Sequence, residues 1–85
     1  MTEFTYVIKD EIGIHARPAG LLVKAAKQTG CKVVLECNGK SSDAAKLFGI
    51  MGMAVKCGDS VKVTIDGENE AEAKTALEQF FAENL

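Results

Sequence analysis

The sequence has no tryptophan, one proline, one histidine and no long hydrophobic run. The longest charge-free apolar stretch covers residues 47–55. That stretch is far short of the roughly 20 residues that a membrane-spanning helix needs. Acidic residues occupy the amino terminus, where a secretory signal peptide would carry basic ones. We therefore expect a cytoplasmic protein without membrane insertion.

Cysteine is scarce as well, and its spacing argues against two common uses of the residue. Cys31, Cys37 and Cys57 are an odd number, and none forms a C-x-x-C pair with another. Neither a closed disulfide framework nor a zinc site is indicated. Reduced thiols in a cytosol fit this pattern. No metal or other cofactor is expected.

The rest of the composition is that of an average globular protein, with 47% hydrophobic and 26% charged residues. A chain of 85 residues supports one core, so we expect a single domain over residues 1–85. The net charge of −2 is unevenly distributed, because all but one of the basic side chains precede residue 66. These basic residues are few and no stacking aromatic lies among them, so a nucleic-acid partner is not expected.

The periodicity of the apolar residues predicts the element order β-α-β-β-α-β-α. Alternating residues indicate strands, and a spacing of three and four indicates helices. The pair Asn38-Gly39 predicts a tight hairpin between the second and third strands. The predicted strands cover residues 4–8, 31–37, 40–42 and 61–65, and the predicted helices cover residues 16–29, 44 to about 54, and 70–83.

These elements predict an α+β fold of two layers, a four-stranded, mainly antiparallel sheet with three helices on one face. Asp43 is expected to cap the second helix. The last helix is expected to bury a face made of Ala73, Ala76, Leu77 and Phe80. The strand order is not readable from the pattern, and a ferredoxin-like sheet fits equally well.

The residue types that carry chemistry are concentrated in the block GIHARPA, residues 13–19. His15 lies where a loop meets the first helix, and a helix start exposes free N–H groups and a partial positive charge. Pro18 has no N–H, so the amides of Ala16 and Arg17 are expected to face an anion. The Arg17 guanidinium suits phosphate oxygens. From these residues alone, His15 as a simple polar helix cap remains the alternative.

Three segments resemble the HPr family of histidine phosphocarriers of the bacterial sugar phosphotransferase system: GIHARPA, the Asn38-Gly39-Lys40 turn and residues 47–52. The resemblance implies an open-faced β-sandwich with strand order 1-4-2-3. It also implies that His15 is phosphorylated on Nδ1 by phosphoenolpyruvate-charged enzyme I and passes the group to IIA domains of sugar permeases. Arg17 matches the family's phosphate-neutralising arginine. A monomeric carrier, and not a stand-alone enzyme, is implied.

Two alternatives accompany this interpretation. The first is a paralogue of a regulatory or nitrogen-related branch, which would use the same His15 chemistry on targets other than transport. The second is a small binding module in which His15 only caps a helix. The sequence does not separate the two carrier hypotheses.

The second helix offers a means of docking. Leu47, Phe48 and Met51 are spaced so that a short helix can present them to solvent while Ile50 and Met53 face inward. All five being core residues is the alternative, but the resemblance implies that the first three form an apolar docking surface. Positive charge would surround this surface for acidic partners. The basic residues involved are Arg17, Lys24, Lys27 and Lys46, with Lys40 and Lys56 as weaker candidates.

Lys46 is a departure from the pattern of many family members. In low-GC Gram-positive bacteria, the family has a serine at the start of the second helix that an ATP-dependent kinase phosphorylates. A lysine cannot carry that phosphate, and it brings a positive charge instead. Ser41 and Ser42 do not match the motif. No regulatory serine is therefore expected.

Overall fold

The computed structural model describes residues 1–85 as a four-stranded sheet with three helices on one face. Neighbouring strands are antiparallel, and their order is β1-β4-β2-β3. This confirms the open-faced β-sandwich and leaves the ferredoxin-like sheet without support. The strands are β1 (Thr2–Val7), β2 (Lys32–Cys37), β3 (Lys40–Asp43) and β4 (Ser60–Asp66), and the helices are α1 (Ala16–Thr29), α2 (Leu47–Gly52) and α3 (Glu70–Asn84).

The sheet buries every second residue of its central strands, as the alternation predicts. In β4, Val61, Val63 and Ile65 are fully buried. Val63 lies opposite Phe4 of β1 on one side and Leu35 of β2 on the other, so one row of apolar side chains crosses three strands. Burying each such side chain contributes about 1.5–3 kcal/mol. The helices cover this apolar face and leave the polar face open.

The buried face of α3 differs from the prediction. Ala73 and Leu77 are buried as expected, but Ala76 is exposed and Phe80 is only half-buried. Phe81 takes the innermost place, with its ring edge-on to Phe4 and Tyr6 at centroid distances of 5.6 and 5.5 Å. The buried residues 73, 77, 81 and 85 are spaced by four. The helix therefore buries one narrow ridge, and the prediction placed that ridge one residue too early at its end.

The second helix is shorter than predicted, and Asp43 does not cap it. β3 extends to Asp43, and the N–H of the buried Ala44 donates to the Val33 carbonyl at 2.8 Å. The Asp43 carboxylate accepts from the Ala45 N–H at 2.8 Å, which forms a turn before the helix. At the other end, Ala54 has a positive φ of 53° and cannot continue a helix. Sheet pairing and this left-handed residue thus limit α2 to 47–52.

All three cysteines are free thiols. Cys37 is buried at the end of β2, where burial and the nearby Asp59 charge raise the pKa of its thiol. Cys57 is exposed. No helix of the structure has both the length and the apolar character needed to cross a membrane.

Gly13 joins the loop before α1 to the segment after α2. Its φ of +82° is readily adopted only by glycine. A Cβ atom at this position would overlap the Val55 carbonyl oxygen and lie 2.7 Å from the Lys56 Cα. The next residue, Ile14, donates its N–H to the same carbonyl at 3.1 Å. Two backbone segments therefore touch here, and only a residue without a side chain allows it.

Replacing Gly13 with alanine should lower the free energy of unfolding by about 2–4 kcal/mol, because a positive φ and a displaced Val55 carbonyl both cost energy. Gly20 is the matched control, since it lies in α1 with no atom within 4 Å of an added Cβ. Gly20→Ala should stabilise the protein by about 1 kcal/mol. Urea denaturation, monitored by circular dichroism, measures the free energy of unfolding of both variants. Equal stability of Gly13→Ala and wild type would show that the contact is not tight.

Candidate functional site

His15 occupies the N-cap position of α1, and its side chain is not used by the cap. Its backbone is extended, with φ −118° and ψ −173°, and its carbonyl accepts the first helical hydrogen bond from Ala19 at 2.9 Å. The imidazole makes no capping hydrogen bond, although N-cap side chains commonly do. The side chain is half-buried. The alternative of a simple polar cap is therefore not supported, and the ring nitrogens are available for chemistry.

The first turn of α1 leaves backbone donors free beside this histidine. The N–H groups of Ala16 and Arg17 donate to no acceptor within the protein, and Pro18 has no N–H to donate. Both residues are exposed, while Pro18 and Ala19 are buried and anchor the turn. Free N–H groups and the positive end of the helix dipole form a suitable place for an anion. The start of α1 therefore has two free N–H groups, those of Ala16 and Arg17.

His15 and Arg17 line one open depression of about 290 Å³. Leu21, one turn after Arg17, also lines it, and this neighbour could have been found from the helical spacing of four. The remaining lining residues are Asp10, Pro18, Glu83 and Asn84. No sequence pattern indicates Asp10, in the loop before the histidine, or the end of α3, at the other end of the sequence, as lining residues of this depression.

Backbone hydrogen bonds bring the end of α3 to this depression. The N–H groups of Lys9 and Asp10 both donate to the main-chain oxygen of Leu85, at 2.6 and 2.8 Å. The Asp10 carboxylate in turn accepts from the Ile12 N–H at 2.9 Å, which fixes the loop after β1. The Leu85 side chain is buried. One wall of the depression therefore comes from the loop after β1 and the opposite end of the chain.

The side chains of α2 and of Met53 just after it are divided between solvent and core as predicted, except that of Leu47. Phe48 is 84% exposed and Met51 is 38% exposed, while Ile50 and Met53 are buried. Leu47 is half-buried and packs against the core, so it is less available than the other two. Phe48 and Met51 are thus the side chains of α2 that present apolar surface to solvent.

Exposed basic side chains lie on α1 and at the start of α2. α1, which carries Lys24 and Lys27, packs against α2, which begins just after Lys46. These three lysines and Arg17 form no ion pair, since the ion pairs of the structure lie at Lys62–Glu3 and at the amino terminus. We call them the basic rim. Lys56 is exposed and directly follows Val55, whose carbonyl lies against Gly13.

The fold and the site define a class: an open-faced β-sandwich with a histidine at a helix start whose side chain makes no capping hydrogen bond, and a short helix with an exposed phenylalanine. A family profile described as the PTS HPr component phosphorylation site matches residues 2–83. The chain belongs to the HPr family, the phosphocarriers of the phosphotransferase system. Members of this family carry phosphoryl groups and are not stand-alone enzymes.

Individual relatives agree with this assignment. Phosphocarrier protein HPr of Mycoplasma capricolum subsp. capricolum is 32% identical over 79 residues, which are 93% of this chain and 89% of the relative. The crystal structure of HPr from Thermoanaerobacter tengcongensis has a TM-score of 0.92 at 36% identity, over 99% of this chain and 94% of that one. The Bacillus subtilis catabolite repression protein Crh, solved as an intertwined dimer with domain swapping, has a TM-score of 0.76 at 33% identity, over 100% of this chain and 98% of that one.

The division of α2 into an exposed and a buried side predicts opposite effects of truncating neighbouring residues. Phe48→Ala should change the free energy of unfolding by less than about 0.5 kcal/mol, because the ring makes few contacts within the protein. Ile50→Ala should lower it by about 2–5 kcal/mol, because it leaves a cavity in the core. Thermal and urea unfolding of both variants measure the difference. A large loss for Phe48→Ala would show that Phe48 belongs to the core.

Proposed function

We propose that this protein carries a phosphoryl group on His15, accepted from phosphoenolpyruvate-charged enzyme I and handed to IIA domains of sugar permeases. The observation that carries the proposal is the His15 side chain itself, which makes no capping hydrogen bond and lies beside two free backbone N–H groups and Arg17. Membership of the HPr family supports the same assignment. In this proposal the protein acts in the cytoplasm and as a monomer.

Acceptance of the group forms a bond between phosphorus and a ring nitrogen of His15, assigned to Nδ1 from the family resemblance. The bond between phosphorus and the donor group of enzyme I breaks at the same time. The proton displaced from the ring goes to that donor group, so that no other reactant is needed. Transfer to a IIA domain repeats the exchange, with the acceptor in the place of His15.

The residues around His15 stabilise the product only in part. A phosphoryl group brings about two negative charges. The N–H groups of Ala16 and Arg17 and the Arg17 guanidinium are the donors available to it, and the positive end of the α1 dipole adds to them. The group is therefore held at an open, solvent-facing site from which a second protein can take it.

Docking is assigned to the exposed side of α2 and to the basic rim. Phe48 and Met51 provide the apolar contact, with Leu47 at its buried edge. The unpaired charges of Lys24, Lys27 and Lys46 attract acidic partner surfaces and increase the rate of encounter. One surface of this kind can serve donor and acceptor in turn.

Incubation with enzyme I and labelled phosphoenolpyruvate should place one phosphoryl group on the protein, on His15. The adduct should be labile in acid and stable in base, because its bond is a phosphoramidate. His15→Ala should abolish labelling, whereas the exposed, remote Glu78→Gln should not affect it. Recovery of an acid-stable phosphoester would contradict the assignment.

Lys46 makes regulation by a serine kinase at the start of α2 impossible in this chain. It is exposed at the N-cap of the helix, at the position where the resemblance expects a regulatory serine. Its charge is permanent and has the sign that attracts acidic partners. The carrier is therefore always competent for transfer from enzyme I.

Lys46→Glu should reduce the rate constant for transfer from enzyme I by about threefold to tenfold at low salt, because it places a negative charge against an acidic partner surface. Lys32→Glu is the charge-matched control, since Lys32 is exposed on β2, away from the helices. Transfer rates of both variants are measured at low and high salt, and only Lys46→Glu should show a loss at low salt. An unchanged rate for Lys46→Glu, or kinase-dependent phosphate on Ser41 or Ser42, would refute this assignment of the docking and regulatory surface.

A further inference from the structure

We propose that Asp10 and Glu83 lower the stability of the phosphorylated state and so keep the phosphoryl group ready for transfer; this inference rests on the proposed function of His15. Both carboxylates line the depression that His15 and Arg17 line. They come from opposite ends of the chain, one from the loop after β1 and one from the last turn of α3.

The backbone holds the Asp10 carboxylate beside the histidine. The Asp10 N–H donates to the main-chain oxygen of Leu85 at 2.8 Å, and its side-chain oxygen accepts from the Ile12 N–H at 2.9 Å. Glu83 lies in the turn of α3 just before Leu85, so the hydrogen bonds to Leu85 also keep Glu83 near this loop. Hydrogen bonds therefore fix Asp10 at the depression, and the last turn of α3 places Glu83 at the same wall.

Neither carboxylate is neutralised by a basic partner. Arg17 lines the same depression but forms no ion pair with Asp10 or Glu83, and the ion pairs of the structure involve other residues. Once phosphorylated, His15 carries about two negative charges. The side chains facing that group are then one cation and two anions. The two carboxylates therefore repel the negative charge that Arg17 and the start of α1 attract.

The balance decides how firmly the phosphoryl group is held. A site with only Arg17 and free N–H groups would stabilise the phosphorylated form and make it a poor donor. Each of the two carboxylates that line the depression raises the energy of that form through Coulomb repulsion, which is moderate at an open site and is screened by salt. Unphosphorylated His15 has no such charge. The two carboxylates therefore destabilise the phosphorylated protein more than the unphosphorylated one.

The test measures the equilibrium in which enzyme I and this protein share the phosphoryl group, with the fractions determined by ³¹P NMR. Asp10→Asn and Glu83→Gln should each increase the equilibrium constant for phosphorylation of this protein by about twofold to fivefold at low salt, and the double variant should increase it further. Asn keeps an oxygen for the Ile12 N–H, so the loop is preserved. The equilibrium constant does not depend on docking, because docking accelerates transfer in both directions.

Glu11→Gln and Glu78→Gln are the matched controls, since each removes an exposed carboxylate outside the depression and close in sequence to one of the two acids. Both should leave the equilibrium constant unchanged. The difference between wild type and the double variant should shrink in 1 M salt, where the Debye length is about 3 Å. A purely structural role of the acids would not show this salt dependence.

The outcomes separate this inference from the function on which it rests. If His15 is phosphorylated in the wild type but the double variant has the same equilibrium constant at low salt, the acids have no such role and the carrier function stands. If the controls change the constant as much as the variants, the effect is one of overall charge and the inference is wrong. If enzyme I phosphorylates neither wild type nor variants, both the function and the inference fail.

Discussion

The hydrogen bond from the Ile14 N–H to the Val55 carbonyl joins the two segments on which the site is built. It forms only because Gly13 has no side chain to hold the backbones apart. Ile14 and Val55 are both buried, so the junction is part of the core. It places the start of α1, with its free N–H groups, next to the segment that leaves α2. The segment that carries His15 is therefore held against the segment that follows α2.

Local patterns predict most of the fold, because alternation and helical spacing depend on neighbours in sequence. The strand order is different, since the pairing of β1 with β4 joins residues more than 50 positions apart in the sequence and no local signal encodes it. The start of α2 was misjudged for a related reason: the Ala44 N–H finds its acceptor at Val33, in another strand. In α3, Phe81 and not Phe80 is the buried ring because it packs against Phe4 and Tyr6 of β1. This contact is between residues far apart in sequence, so the helical pattern does not reveal it.

The site was predictable to the extent that it is local. His15 and Arg17 lie in one short block, and the anion-binding character of the helix start follows from peptide geometry and the missing N–H of Pro18. The exposure of Phe48 was inferred from resemblance, because its spacing suits core and surface equally. The sequence does not predict that Asp10 and Glu83 line this depression, since the hydrogen bonds of Lys9 and Asp10 to Leu85 bring the two segments together. Long-range contacts therefore determine which side chains join His15 at the depression.

The amide resonances of Ala16 and Arg17 provide the most direct test of whether the helix start receives the phosphoryl group. Two-dimensional ¹H–¹⁵N NMR spectra would be recorded before and after phosphorylation by enzyme I. The amide protons of both residues should move downfield, as N–H groups do on donating to a phosphate oxygen, while those of the open sheet face stay in place. Unmoved Ala16 and Arg17 resonances in a fully phosphorylated sample would contradict this role of the helix start.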